Sequence, residues 1–352
     1  MSSPDLILVT SYLEPEHVAR IRTAAGDIPV VYEPRLIPVP RYPSDHRGET
    51  LQRTTDEEAE WRSLLARATI LFDFDVTHRS DLPELAPRVR WVQATSAGIG
   101  QFVRRMGYAD AWPDAVFTTA SGVHAQPLAE FALLAMVGHV RGLLQIRRQQ
   151  ADRRWQRFAG TDLRGQTVLV VGMGAIGSEV GRVARTLGMR VLGIRRRSTE
   201  AEPSTLHAHE LGGPEDLHAF LPRAHFIVLA APHTDETEGM MGGPEFGLVR
   251  PGAVLVNAGR GSLVDEGALL RALLPPPQGT GRLASAWLDV FATEPLPQEN
   301  PLWNLPNVVV SPHSASTSDR ENGRITDIFC ENLRRYRNGE PLLNVLDVER
   351  LY

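Results

Sequence analysis

A fold can be predicted from one stretch of the chain, Thr167-Val-Leu-Val-Val-Gly172-Met-Gly174-Ala175-Ile176-Gly177. Four β-favouring apolar residues lead into the pattern G-x-G-x-x-G, and a helical pattern follows it. In such a strand, turn and helix, the first glycine allows the tight turn and the second lets the backbone approach a pyrophosphate. The third lets helix and strand pack closely. The stretch therefore predicts a dinucleotide-binding unit. Glycine-rich turns also close ordinary strand–helix junctions and bind the cofactor of methyltransferases.

The end of the next predicted strand, 190–194, is where such a unit reads the adenosine ribose. NAD-selective sites usually place Asp or Glu there, whereas this chain has Arg195, Arg196, Arg197 and Ser198. Arginines and a hydroxyl suit the dianionic 2′-phosphate of NADP, and no carboxylate repels it. We therefore predict NADP as the preferred cofactor, with NAD possible; the alternative interpretation is a solvated basic turn.

Length and composition are those of a two-domain globular enzyme, because 352 residues are long for a single core. The chain is 42% hydrophobic and 22% charged with a formal charge of -5, which gives no reason to expect nucleic acid or a membrane as partner. It lacks a targeting n-region and any run of about 18 apolar residues, so we expect a cytoplasmic protein. The chain has no lysine, which excludes a Schiff-base nucleophile.

Strand and helix patterns alternate along the chain, which predicts parallel sheets covered by helices and ligands at the carboxyl ends of strands. Residues 35–54 are rich in proline and charge, and they predict a long loop. Loops of this length are often functional, but we favour slightly a surface crossing without catalytic consequence. The apolar helix predicted for 128–141 should be deeply buried, between domains or at a subunit contact. We expect an exposed helix over 145–158.

Four chemically suitable side chains, Arg260, Asp289, Glu294 and His313, follow predicted strands. Arginine offers a planar fork for a substrate carboxylate, and histidine can exchange a proton near neutral pH. A carboxylate can orient that histidine and favour its charged form. Hydride transfer to a 2-oxo acid, or from a 2-hydroxy acid, requires these three functions: carboxylate binding, proton exchange and orientation of the histidine. Taken singly, each residue has a structural interpretation as a cap, a turn residue or a buried histidine.

A turn of small residues, Ser96-Ala97-Gly98, follows another predicted strand. Such a turn exposes backbone N–H groups at the carboxyl end of a sheet and can hold a small anion. The alternative is an ordinary tight connection between a strand and a helix. We predict a substrate-binding role for these three residues and assign no metal ligands anywhere in the chain.

The glycine-rich stretch and three later motifs resemble the successive signatures of the D-isomer-specific 2-hydroxyacid dehydrogenases. The later motifs are Asn257-Ala-Gly-Arg-Gly-Ser-Leu-Val-Asp265, Asp289-Val-Phe-Ala-Thr-Glu-Pro295 and Ser311-Pro-His313. The resemblance implies a Rossmann-type doubly wound parallel sheet over residues 122–316. This α/β domain would be inserted into a flavodoxin-like substrate domain made of residues 1–121 and 317–352. The resemblance also implies a homodimer built on the cofactor domains.

The resemblance further implies a role for each matched residue. Arg260 would bind the substrate carboxylate and polarise the 2-oxo group, and His313 would act as acid and base. Glu294 would hydrogen-bond His313 and keep it charged during reduction. Asp289 would meet the nicotinamide carboxamide, and the 96–98 turn would donate to the carboxylate. The cofactor would be lined by the glycine-rich turn with Ala231, Pro232, Asn257 and His313.

The predicted function is reduction of a small 2-oxo acid, such as glyoxylate or hydroxypyruvate, to the D-2-hydroxy acid. One alternative is an enzyme resembling phosphoglycerate dehydrogenase, and another is a corepressor-like protein that senses dinucleotide. A methyltransferase explains neither the arginine cluster nor the later motifs. The segment 273–281 is proline-rich and longer than expected from the resemblance, and we interpret it as a surface insertion.

Overall fold

The computed structural model describes residues 5–196 and 202–351 and divides the chain into two units. The first unit consists of Met1–His124 and Thr317–Tyr352, and the second of Ala125–Ser316. The chain therefore leaves the first unit once and returns to it near its end. The assignment of the first unit as a substrate domain stays a prediction.

Each unit contains one sheet, and every strand pairing within the described residues is parallel. The strands are β1 (Ile7–Val9), β2 (Val30–Val31), β3 (Ile70–Phe72), β4 (Trp91–Gln93), β5 (Val116–Thr118), β6 (Thr167–Val171), β7 (Arg190–Ile194), β8 (Glu210–Gly212), β9 (Phe226–Leu229), β10 (Ala253–Asn257), β11 (Leu283–Leu288) and β12 (Val308–Val310). The first sheet has the order β2-β1-β3-β4-β5, and the second β12-β11-β10-β9-β6-β7-β8. The first order is flavodoxin-like and the second is doubly wound, reversing between β6 and β9. The predicted fold class is confirmed.

Helices cover both faces of the two sheets, because each parallel strand needs a crossover to its neighbour. The helices are α1 (Pro15–Ala25), α2 (Thr55–Arg67), α3 (Leu82–Leu85), α4 (Gly100–Met106), α5 (Tyr108–Ala111), α6 (Ala125–Val140), α7 (Leu143–Ala151), α8 (Ala175–Thr186), α9 (Leu217–Phe220), α10 (Gly243–Leu248), α11 (Glu266–Leu273) and α12 (Glu321–Asn338). Short 3-10 helices occur at Pro34–Leu36, Pro203–Leu206, Pro214–Asp216, Leu221–Arg223, Gly261–Leu263 and Pro301–Asn304.

The last helix, α12, completes the core of the first unit. Ile325, Phe329 and Leu333 recur at helical spacing on its buried face. The ring of Phe329 lies 5.1 Å from the rings of both Phe72 and Trp91, which belong to neighbouring strands. The end of the chain is therefore part of the same core as its beginning.

One face of α6, the helix before the glycine-rich stretch, is deeply buried as predicted, and a subunit contact on its other face stays a prediction. Ala129, Ala132 and Met136 are buried in the core, whereas Leu134 and Val137 are exposed. No single helix among the described residues is long and apolar enough to cross a membrane. The pair α6 and α7, bent by 65°, meets that test by length and composition alone.

The exposed helix predicted for 145–158 is shorter than expected. The helix α7 ends at Ala151, because Arg153 adopts a left-handed conformation with φ 52° and the Arg154 N–H donates back to Gln149. The following residues have no regular secondary structure, and Trp155 among them is 97% exposed. The predicted exposure is observed, but the predicted helical length is wrong.

Candidate active site

The glycine-rich turn joins β6 to α8 where the strand order of the second sheet reverses. Gly172 has φ 102°, and a Cβ there would lie 2.5 Å from the backbone nitrogen of Ala231. At Gly177 a Cβ would overlap the carbonyl oxygen of Gly172, so only glycine lets helix and strand pack this closely. A Cβ at Gly174 would meet nothing within 4 Å. The second glycine therefore faces open space, as approach of the backbone to a ligand requires.

Two of the four residues predicted to read the ribose are described, Arg195 and Arg196, directly after β7. The Arg195 N–H donates to the carbonyl oxygen of Gly212 at 3.0 Å, which fixes its backbone at the end of the sheet. Arg196 Nη1 lies 3.6 Å from Glu236 Oε2, and solvent screens this exposed pair. Arg197 and Ser198 lie outside the described residues.

Asn257, the last residue of β10, holds the turn that carries Arg260. Its Nδ2 donates to the carbonyl oxygen of Arg260 at 3.0 Å, and its Oδ1 accepts from the Gly259 N–H at 3.2 Å. A Cβ at Gly261 would overlap the backbone of Phe291, so the turn packs directly on the segment that follows β11. The backbone on both sides of Arg260 is therefore fixed.

The guanidinium of Arg260 is half-buried and donates to the carbonyl oxygen of Gly259 at 2.8 Å. Burial lowers the pKa of Arg260 from its ordinary value, and the nearby charge of Glu294 opposes that effect. Arginine nevertheless stays protonated in proteins. A partly desolvated cation attracts an anion more strongly than a solvated one, so Arg260 suits a substrate carboxylate.

His313 forms a hydrogen-bonded pair with Glu294. Its Nδ1 lies 2.7 Å from Glu294 Oε2, and Glu294 Oε1 accepts from the Phe291 N–H at 3.0 Å. Both oxygens of the carboxylate are therefore held, and they orient the imidazole. His313 Nε2 has no hydrogen-bond partner among the described residues, and the ring is half exposed. That nitrogen is available to exchange a proton.

Asp289 fixes the backbone that carries His313. Its buried Oδ1 accepts from Ser311 Oγ at 2.5 Å and from the N–H groups of Ser314 and Ala315 at 2.9 Å. The Asp289 carbonyl accepts from the His313 N–H at 2.9 Å, and His313 has φ 53°. The sequence reasoning missed this function of Ser311, although a hydroxyl residue directly before Pro-His was visible. Contact of Asp289 with a nicotinamide stays a prediction.

Within the second unit, the structure brings together the residues that follow β10, β11 and β12, which are adjacent strands. Arg260, Asp289, Glu294 and His313 all lie at the carboxyl edge of that sheet. Ala231 and Pro232 follow β9 at the same edge. No group of three or more His, Cys, Asp or Glu residues in the described ranges could hold a metal ion.

The turn Ser96–Gly98 lies in the first unit and follows β4 after Ala94 and Thr95. In the described part of the chain, the backbone N–H groups of these three residues have no hydrogen-bond partner. The Ser96 carbonyl accepts from the Ala120 N–H at 3.1 Å, which ties the turn to the segment after β5. Unpaired N–H groups in a fixed turn are what an anion-binding turn requires.

Comparison with known proteins gives one consistent result. Residues 133–315 match the family model described as D-isomer specific 2-hydroxyacid dehydrogenase, NAD binding domain. A glyoxylate reductase of Korarchaeum cryptofilum is 32% identical over 276 residues, 76% of this chain and 78% of the relative. A D-3-phosphoglycerate dehydrogenase of Archaeoglobus fulgidus is 32% identical over 236 residues, 66% of this chain and 43% of that protein.

Among solved structures, the chain is similar to a D-isomer specific 2-hydroxyacid dehydrogenase from Xanthobacter autotrophicus Py2, crystallised in complex with NADPH and MES. The TM-score is 0.77 and the sequence identity 27%, and the alignment covers 100% of both chains. The likeness therefore extends over both units and is not confined to the glycine-rich domain.

Proposed function

Because the chain belongs to the D-isomer specific 2-hydroxyacid dehydrogenase family, we propose that it reduces a small 2-oxo acid to the D-2-hydroxy acid. The pair formed by His313 and Glu294, with Arg260 beside it, is the observation that carries the proposal. A bound reduced nicotinamide would supply the hydride. The open space at Gly174 and the absence of any side chain there fit the pyrophosphate of such a cofactor.

In this proposal the chain's own residues bind the acid and move one proton. The Arg260 guanidinium binds the carboxylate and polarises the neighbouring carbonyl. The protonated imidazole of His313 donates its Nε2 proton to the 2-oxo oxygen as that oxygen becomes a hydroxyl. Glu294 holds Nδ1 and so orients the ring before the transfer. In the oxidation direction the same nitrogen takes the proton back.

Glyoxylate or hydroxypyruvate is the proposed substrate class, supported by the relative named glyoxylate reductase. The similarity to a D-3-phosphoglycerate dehydrogenase favours a second candidate, oxidation of a phosphorylated 2-hydroxy acid. The two candidates differ in which acid is turned over. A panel of 2-oxo acids, including a phosphorylated one, is tested for loss of reduced-nicotinamide absorbance with NADPH and NADH, and the matching 2-hydroxy acids are tested for its gain with NADP and NAD. If dinucleotide binds and no acid on the panel is turned over in either direction, the protein is a dinucleotide sensor instead.

We propose that NADP is preferred because Arg195 and Arg196 follow β7 where NAD-selective sites carry a carboxylate. Replacing Arg195 by aspartate together with Arg196 by alanine should lower the ratio of kcat/KM for NADPH to that for NADH. We expect a decrease on the order of 10²-fold, since two charge-assisted contacts are lost. Arg190→Asp, at the amino end of the same strand, is the control. An unchanged ratio in the double variant would show that the two arginines are surface charges only.

The contrast between Gly174 and Gly177 tests where the dinucleotide lies. Gly174→Ala should leave the melting temperature unchanged, because its Cβ meets no atom of the protein. We expect it to raise the KM for dinucleotide about tenfold or more, since the methyl group occupies the approach of the pyrophosphate. Gly177→Ala should destabilise the fold by about 1–3 kcal/mol or more through overlap with Gly172. Thermal unfolding and cofactor titration measure the two effects; normal cofactor affinity in Gly174→Ala would contradict the assignment.

We further propose a homodimer formed through the second unit. Leu134 and Val137 on α6, Ile146 on α7 and Trp155 beyond it are 50%, 38%, 45% and 97% exposed. Exposed apolar side chains concentrated in one segment are typical of a protein–protein interface. Sedimentation equilibrium over a range of concentrations checks the proposal. Cytoplasmic location stays a prediction.

A further inference from the structure

A buried carboxylate in the first unit, Glu321, lies between two histidines that are distant in sequence. Its Oε1 is 3.2 Å from His124 Nε2 and 3.5 Å from His46 Nε2, and the residue is 5% exposed. Burial alone would raise the pKa of Glu321, but the neighbouring His124 and His46 outweigh that effect and lower the pKa to about 2. The carboxylate is therefore charged, and it joins residue 46, residue 124 and the start of α12.

A second buried carboxylate, Asp73, continues this cluster toward the turn Ser96–Gly98. Asp73 has φ 69°, and its carbonyl oxygen accepts from Thr10 Oγ1 at 2.8 Å. Its carboxylate accepts from Thr95 Oγ1 at 2.8 Å and from the Thr95 N–H at 3.4 Å. Burial raises the pKa of Asp73, and the charge of His46 opposes that rise. The residue immediately before the turn, Thr95, is thus fixed by Asp73.

The other histidine, His124, follows a segment that is bonded to the same turn. His124 follows the segment in which the Val123 N–H bonds the Ala120 carbonyl, and the Ala120 N–H donates to the Ser96 carbonyl. Arg324 Nη1 donates to the carbonyl oxygen of Val123 at 3.4 Å, which binds this segment to α12 a second time. Glu321 therefore joins α12 to the loop through His46 and to the segment that bonds the turn through His124.

The loop 36–53 is held in one conformation, although its composition predicted a long irregular crossing. Arg53 closes its base by donating twice to the carbonyl oxygen of Leu36, while its guanidinium lies over the ring of Trp61. Inside the loop, the Asp45 carboxylate accepts from three backbone N–H groups and from the Arg41 guanidinium, which hold its pKa far below the usual range against the effect of burial. His46 thus extends from a rigid loop.

Stability alone does not account for these charges. Buried ion pairs are rarely more stabilising than apolar residues of the same volume. Glu321 Oε2, both ring nitrogens of His46 and Ser11 Oγ are buried without a hydrogen-bond partner in the described ranges, which costs further free energy. Polar groups kept at such a cost typically fix a unique arrangement at a functional site.

We propose that Glu321, acting through His46 and His124, is a positioning residue for the substrate carboxylate. It holds the loop 36–53 and the turn Ser96–Gly98 in one arrangement at the carboxyl edge of the first sheet, so that the N–H groups of the turn are presented together. This inference rests on the proposed function, because it takes the turn to bind the 2-oxo acid. Glu321 would not touch the substrate itself.

The test is Glu321→Gln, which keeps the size of the side chain and removes its charge. We expect the KM for the 2-oxo acid to rise about tenfold or more, with kcat within about threefold of the wild type and the KM for NADPH unchanged. Glu331→Gln is the matched control, since Glu331 is on the same helix and pairs with Arg334 and Arg335 at the surface. A merely structural role would lower the melting temperature and leave the KM unchanged, and that outcome would overturn the proposal.

A second variant and a second measurement keep the test decisive. If Glu321→Gln does not fold, His46→Asn is the second variant. It removes only one of the two contacts of Glu321, so a smaller rise in the KM for the 2-oxo acid is expected. Amide hydrogen exchange should be faster over 36–53 and at Ala120, whose N–H donates to the Ser96 carbonyl, in either variant than in the wild type; unchanged exchange at both places sinks the proposal. Absence of turnover by the wild-type enzyme with every 2-oxo acid would instead refute the proposed function, while the exchange measurement would still decide whether Glu321 positions these segments.

Discussion

His313→Ala is expected to lower kcat by about 10²-fold or more while dinucleotide affinity stays at the wild-type value. The reason is that Nε2 is the only ring nitrogen left to exchange a proton, since Nδ1 is held by Glu294 at 2.7 Å. Without the imidazole, water must protonate the developing alkoxide. Steady-state rates of 2-oxo acid reduction, together with a fluorescence titration of NADPH, measure both quantities.

A control for this variant exists in the same unit. His218 Nε2 forms a similar pair with Glu245 Oε1 at 2.8 Å, on an exposed surface. His218→Ala removes the same chemical groups and should leave kcat unchanged. If His313→Ala turned over substrate as fast as His218→Ala does, a histidine acid would have to be abandoned. The Glu294 pair would then be structural.

Arg260→Ala should lower kcat/KM for the 2-oxo acid on the order of 10³-fold, about 4 kcal/mol of transition-state stabilisation. Its guanidinium is half-buried and its turn is fixed by Asn257, so the fork is held in place before any substrate arrives. Arg260→Lys keeps a positive charge and loses the planar pair of donors. We expect it to recover little activity, because a single ammonium cannot hold the carboxylate and the carbonyl together.

The loss in the Arg260 variants should be absent from a matched substitution. Arg282, also half-buried in the second unit, donates Nε to the carbonyl oxygen of Val249 at 3.1 Å. Arg282→Ala is expected to lower the melting temperature and to leave kcat/KM unchanged. Full activity in Arg260→Lys would show that a positive charge is sufficient. It would contradict a role in which one guanidinium holds both the carboxylate and the carbonyl of the substrate.

Much of this fold follows from local sequence signals. Alternating strand and helix patterns leave parallel sheets as the usual solution, and parallel strands bring their carboxyl ends to one edge. For that reason Arg260, Glu294 and His313 could be placed at one edge from the sequence. The strand β8 was not predicted, because Glu210-Leu-Gly212 is too short and too little buried to show the apolar run or the alternation of apolar and polar residues that marks a strand.

The contacts that position the site residues were less accessible to sequence reasoning. The bonds from Asp289 to residues 311–315 depend on His313 adopting a left-handed conformation, which remains uncommon for any residue but glycine and which the sequence does not specify. Likewise, His46, His124 and Glu321 meet only after the whole chain has folded. Such contacts depend on tertiary structure, and the residues that make them are ordinary in isolation.

The return of α12 to the first sheet has a consequence for biosynthesis. During translation, the apolar surface around Phe72 and Trp91 emerges from the ribosome long before Phe329, which covers it. The second unit can fold as soon as its own residues have emerged, whereas the amino-terminal segment must wait with apolar side chains in water. A nonsense mutation between β4 and α12 would thus leave the apolar side chains of the first sheet uncovered, open to aggregation and to chaperone capture.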